Sequence, residues 1–125
     1  MNILIAEQNR RVRNGLIKII KSSVSKPTIR EAQDIAQLSE RTEEIPHYDL
    51  AIVGDQIERT DGRNISGKEI ARRLIEGGAA KRVWVYTSFP EKQFEDIDIK
   101  FYARSVKSKK LENDLKTYAA QQPTK

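Results

Sequence analysis

A chain of 125 residues with no cysteine has room for one domain, and it excludes a disulfide framework or a thiolate metal site. Hydrophobic residues make up 38% and charged residues 33%, the composition of a polar globular protein, and no apolar run approaches the ~20 residues of a membrane span. Net charge is +5, unevenly spread: Lys and Arg outnumber acids seven to one in residues 1–30 and seven to two in residues 100–125, but trail them nine to fifteen in between.

The opening MNILIAEQNRR has too short an apolar stretch for a signal peptide, so a cytoplasmic address is expected. Within it, ILIA (3–6) reads as a buried strand. Val12, Leu16, Ile19 and Ile20 then recur at helical spacing. PTIREA (27–32) reads as a weaker strand, and Asp34 can cap a helix carrying Ile35, Leu38 and Ile45. His47, between Pro46 and Tyr48, reads as a loop residue rather than a ligand or base. LAIV (50–53) is the next apolar strand, and GDQIERTDGRNIS (54–66) reads as a surface loop without a phosphate-binding glycine pattern. Ser66 and Glu69 form a capping box for a helix with Ile70, Leu74 and Ile75 inward and Gly77-Gly78 as its stop. RVWVYT (82–87) is a further apolar strand, PEKQFED (90–96) a shortened fourth helix, and IDIKFYA (97–103) an alternating strand. The last helix carries Leu111, Leu115 and Tyr118. A domain over 1–121 is expected, with 122–125 a frayed tail or the start of a linker.

Strands covered by helices on both faces read as unbroken apolar runs, whereas edge strands can alternate. That contrast puts the first, third and fourth strands inside and the other two at the edges. The expected fold is a flavodoxin-like doubly wound α/β sandwich of three layers, with five parallel strands in the order 2-1-3-4-5. Its switch point lies between strands 1 and 3, where the carboxyl ends bear Glu7-Gln8, Gly54-Asp55 and Thr87-Ser88. Right-handed crossovers place the first and last helices together, which gathers the terminal basic charge on one face.

ILIAEQNRRVRNGL, YDLAIVGD, SGKEIARRL, VWVYTS and KFYARSVKSKKLENDL, in that order, resemble the receiver domain of bacterial response regulators over essentially the whole chain. The resemblance implies phosphoryl transfer from a histidine kinase to an aspartate at the end of strand 3. Acids after strand 1 would help hold Mg²⁺, while a hydroxyl after strand 4 and a lysine after strand 5 would bind phosphoryl oxygens.

Position by position, Glu7 matches the first acid and Gln8 replaces the second. Gly54 stands at the phosphoacceptor position, with Asp55 one residue late. Thr87 matches the hydroxyl, and Arg104-Ser105 stands where the family has Lys-Pro, so a forked guanidinium replaces the ammonium. Lys107 could substitute only through a displaced loop. The favoured expectation is a degenerate, pseudo-receiver domain that acts by protein–protein interaction without aspartyl phosphorylation, needs no cofactor and is not an enzyme. The alternative is a phosphoryl-accepting receiver in which a bulge brings Asp55 into the acceptor position, with Glu7 and Asp55 as Mg²⁺ ligands. Arg104 could also pair with Asp55 or Glu7 and imitate a phosphorylated receiver's charge balance.

Arg10, Arg11 and Arg13 on the first helix, with Lys107, Lys109 and Lys110 near the last, are the expected partner surface. An acidic signalling protein is the preferred partner there. Nucleic acid ranks behind it, because the eight aromatic residues are not interleaved with these charges. No membrane partner is expected, and self-association as a homodimer stays open.

Overall fold

The computed structural model describes residues 1–88, 98–104 and 109–122. The shortened helix expected over 90–96, Lys107 and the tail from residue 123 lie outside them. In chain order the elements are β1 (Asn2–Ala6), α1 (Arg10–Ser23), β2 (Thr28–Ala32), α2 (Ile35–Glu44), β3 (Leu50–Val53), β4 (Gln56–Glu58) and β5 (Asn64–Ser66). They continue with α3 (Gly67–Glu76), β6 (Val83–Thr87), β7 (Ile99–Ala103) and α4 (Lys109–Gln121).

Five strands form one sheet in the order β2-β1-β3-β6-β7, and every neighbouring pair is parallel. This is the expected doubly wound order, with β1 lying between β2 and β3 at the switch point. Side chains alternate across the pleat and build two core layers. Leu4, Ala6, Ala51 and Val53 face the side of α2 and α3, where Leu38, Ile70 and Leu74 meet them. Ile3, Ile5, Leu50 and Ile52 face α1 and α4, against Leu16, Ile20, Leu111 and Leu115. Burial on both faces explains why β1 and β3 read as unbroken apolar runs. Each large aliphatic side chain removed from water in this way contributes roughly 1.5–3 kcal/mol. On β7, Tyr102 belongs to the core, 5.1 Å from Trp84, ring centre to ring centre.

α2 and α3 begin where the sequence places their caps. Asp34 accepts from the Gln37 N–H at 2.8 Å, and Ser66 accepts from the Glu69 N–H at 3.2 Å. α1 starts at Asn9, whose side chain accepts from the Arg11 and Val12 N–H groups. α1 and α4 pack side by side, so the two basic ends of the chain share a face.

Residues 54–66 depart from the expected surface loop, since β4 and β5 pair as an antiparallel hairpin. Ile57 and Ile65 lie opposite each other and are both buried in the α2–α3 layer, with polar neighbours pointing out. Three-residue strands give too short a period to separate this pattern from a loop. Gly62, at φ 83°, turns the chain between them.

The entrance to β3 is pinned by two phenols. Tyr48 donates to the Arg41 carbonyl at 2.7 Å, and Tyr118 donates from α4 to the Asp49 carbonyl at 2.8 Å. Burial first, then the Glu44 charge, raises the Tyr48 pKa above its ordinary value of 10.0. Burial also raises that of Tyr118, with Arg82 partly opposing and Asp49 adding to it. Folded pKa values above the unfolded ones leave stability whole below pH 10, and it falls as pH rises through the unfolded and then the folded values. Ultraviolet titration of phenolate should therefore show Tyr48 and Tyr118 ionising late, together with alkaline unfolding. Ionisation of both near pH 10 in a chain that stays folded would contradict this packing.

Candidate functional site

The carboxyl edge of the sheet brings together residues from four strand ends. Ala6 pairs with Val53 and Val53 with Val85, so the residues that follow β1 and β3 emerge side by side. The Gly54 N–H bonds the Ala6 carbonyl at 2.9 Å, and the Arg104 N–H bonds the Thr87 carbonyl at 2.9 Å. The β3 ladder runs without a bulge from Leu50 to Val53. Glu7, Gly54, Asp55, Thr87 and Arg104 thus share one site, and Gln8 stands exposed at its rim.

Glu7 is the unusual member, a carboxylate only 2% exposed. Arg104 meets it with a guanidinium nitrogen bonded to Glu7 Oε1. Glu7 Oε2 has no hydrogen-bond partner among the described residues. Arg104 is itself held at two further points: its Nε donates to the Tyr86 carbonyl at 3.1 Å, and its guanidinium lies 5.5 Å from the Tyr86 ring centre. The same Nε stands 3.6 Å from Asp55 Oδ2, so one cation serves both acids.

Asp55 completes the arrangement from just past the end of β3. Its Oδ1 accepts the Thr87 hydroxyl and the Ser88 N–H, the latter at 3.1 Å, while Oδ2 accepts the Ser88 hydroxyl at 3.4 Å. One hydroxyl, one backbone amide, a second hydroxyl and a guanidinium therefore surround a single carboxylate.

Gly54 leaves the room that Glu7 occupies. A Cβ there would overlap the Glu7 carboxyl group, whose Cδ would stand 2.6 Å away. Glu7 fills the room that a side chain at 54 would need. Behind it, a Cβ on Gly67 would overlap the carbonyl of Gly54, with the carbonyl carbon at 3.1 Å. The Gly67 N–H also bonds the Asp55 carbonyl at 2.7 Å, which ties the start of α3 to the end of β3. Gly67 escaped the sequence reading. Its one signal was a glycine in the first position of a capped helix, where glycine has no propensity advantage.

Arg13 is a correction. Expected on the partner surface, it is 9% exposed and donates to the Glu7 and Gln8 carbonyls at 2.8 and 3.0 Å, with Glu31 3.3 Å from its Nε. It follows Val12 and precedes Leu16 on the inner side of the first turn, where it satisfies the carbonyls that β1 leaves at its end. Arg10, Arg11, Lys109 and Lys110 are exposed. His47 is exposed and bonds the Gly78 carbonyl through Nδ1 at 2.9 Å, away from the site.

These donors fit Mg²⁺ poorly. The ion needs several free oxygen ligands, yet the guanidinium already lies against Glu7 and Asp55. Among the described residues no group of three His, Cys, Asp or Glu side chains converges.

No protein-family model and no curated protein sequence matches the chain. Solved structures do. The signal receiver domain of a DNA-binding response regulator from Colwellia psychrerythraea 34H superposes with a TM-score of 0.72 at 14% identity, covering 97% of this chain and 99% of that one. The response regulator domain of Thermotoga maritima CheB gives 0.67 at 15% identity, covering 98% of each chain. A LuxR-family response regulator from Staphylococcus aureus gives 0.65 at 16% identity, covering 94% of this chain and 98% of that one. The chain has the receiver-domain fold of response regulators.

Removing Arg104 should strand the Glu7 charge. Arg104→Ala is expected to cost about 3 kcal/mol in urea unfolding, the low end for a broken buried pair because Arg104 keeps some exposure. Adding Glu7→Gln should recover most of that loss. Equal destabilisation of the single and double variants would contradict the pairing.

Proposed function

We propose that this chain is a receiver-fold signalling module that works by protein–protein interaction, in the cytoplasm, without aspartyl phosphorylation. One observation carries the reading: Arg104 bridges Glu7 and Asp55 at a strand end occupied by Gly54. Glycine offers no carboxylate to accept a phosphoryl group, and the volume in front of it holds the Glu7 side chain. The Asp55 oxygens already accept two hydroxyls, an amide and a cation, which lowers their nucleophilicity. Arg104 thus supplies a fixed positive charge between the two acids, the role that Mg²⁺ would otherwise fill. On this reading the module rests in one state, needs no metal and catalyses nothing.

A second reading is favoured by the Thr87 and Ser88 contacts. A hydroxyl and an amide beside the Asp55 carboxylate are the donors that phosphoryl oxygens on that carboxylate would use. Asp55 would then accept the group, with Mg²⁺ as the required ion, after Arg104 swung away from Glu7.

Incubation with Mg²⁺ and acetyl phosphate, followed by intact mass, separates the two. The proposed module keeps its mass, as does Asp55→Asn. A phosphoryl adduct that forms on the unaltered chain and is lost in Asp55→Asn would overturn the proposal.

A further inference from the structure

The outward face of α1 is built against the interest of the isolated chain. Arg10 and Arg11 stand in its first turn, where the helix dipole favours acids, and α1 contains no acidic residue. Lys18 and Lys21 follow at a spacing that sets like charges one turn apart. Arg10, Arg11, Lys18 and Lys21 are all exposed, and none has an ion-pair partner among the described residues. Between Arg11 and Lys18 lies Gly15, mid-helix and exposed, with nothing within 4 Å of where a Cβ would stand. Glycine there weakens the helix relative to alanine, and no contact among the described residues calls for it. Gly54 and Gly67, by contrast, are each explained by a close neighbour.

We infer that this face is a docking surface for an acidic helix of a partner protein, an inference that rests on the interaction-module reading above and names its surface. Gly15 lets a second backbone approach α1 closely, as side chains at this position would not. Arg11 one turn before it and Lys18 one turn after it then meet carboxylates that recur once per turn on the incoming helix. α4 packs beside α1 and adds Lys109, exposed and unpaired among the described residues. Nucleic acid suits the surface less well. Glu112 and Asp114 interrupt the charge on α4, Glu112 holding Lys116 at 3.2 Å, and no aromatic side chain stands in α1.

The test uses the full chain, labelled with nitrogen-15, at low salt. The probe is a synthetic helix-stabilised peptide with glutamates spaced three and four apart, beside a proline-interrupted peptide of the same composition and a short DNA duplex. The expected result is amide shifts confined to residues 10–25 and the start of α4 around Lys109 with the helical peptide, and affinity falling about tenfold or more in Arg11→Glu/Lys18→Glu and in Gly15→Leu. Gly15→Ala should raise the melting temperature of the free chain, which checks that glycine serves no internal packing. Absent shifts, equal binding of the interrupted peptide, tighter binding of DNA, or shifts explained by self-association would each overturn the inference. Because acetyl phosphate is assayed separately by mass, an adduct at Asp55 would overturn the earlier proposal while leaving the α1 result to stand or fall alone.

Discussion

A carboxylate taken out of water must be neutralised or matched, and Glu7 is matched. Its cation among the described residues comes from the far end of the sheet: Glu7 follows β1 and Arg104 follows β7, with β3 and β6 between them. The guanidinium therefore lies across the mouth of the sheet and stands within reach of Asp55 on the way. Everything nearby is shaped by that span. Gly54 gives up its side chain to the Glu7 carboxyl group, and Gly67 gives up its own to the Gly54 carbonyl. Arg13 ties down the turn that carries Glu7 from below. The result is a strand-end cluster in which one guanidinium meets two carboxylates.

Much of the frame that places this cluster is legible in the sequence, because it follows from the periodicity of burial. ILIA and LAIV are apolar at every position since both faces are covered, and that contrast with PTIREA is enough to order the sheet. Asp34 and Ser66 mark helix starts through chemistry that needs no tertiary context. The β4–β5 hairpin lacked such a signal, since one buried isoleucine per strand has no period to detect. Lys100 and Tyr102 alternate on β7 as one polar-looking set, yet Tyr102 is core because its ring packs on Trp84 while its hydroxyl reaches Asp114.

The site was legible in membership but not in arrangement. Counting along the strands identifies Glu7, Gly54, Asp55 and Thr87 as neighbours, since strand ends in a parallel sheet converge, and the resemblance to receivers adds Arg104. Which acid Arg104 would hold depends on side-chain reach across three strands, and sequence does not carry that. Arg13 shows the same limit. A cation in a basic run looks like surface until the carbonyls that it satisfies are seen. Charge totals locate a basic face correctly while saying nothing of which members of the run point outward.

The receiver fold thus holds a site in which Arg104 already engages both Glu7 and Asp55, with Glu7 Oε2 left without a partner among the described residues, and the basic helix beside it remains open to solvent. Amide spectra recorded with and without Mg²⁺ and beryllofluoride, a mimic of the phosphoryl group, test that account most directly. Unchanged resonances for Asp55, Thr87 and Ser88 are the predicted result. Saturable shifts at those three amides that require Mg²⁺ would contradict it, for they would mean that the cluster opens to admit an ion and a tetrahedral ligand.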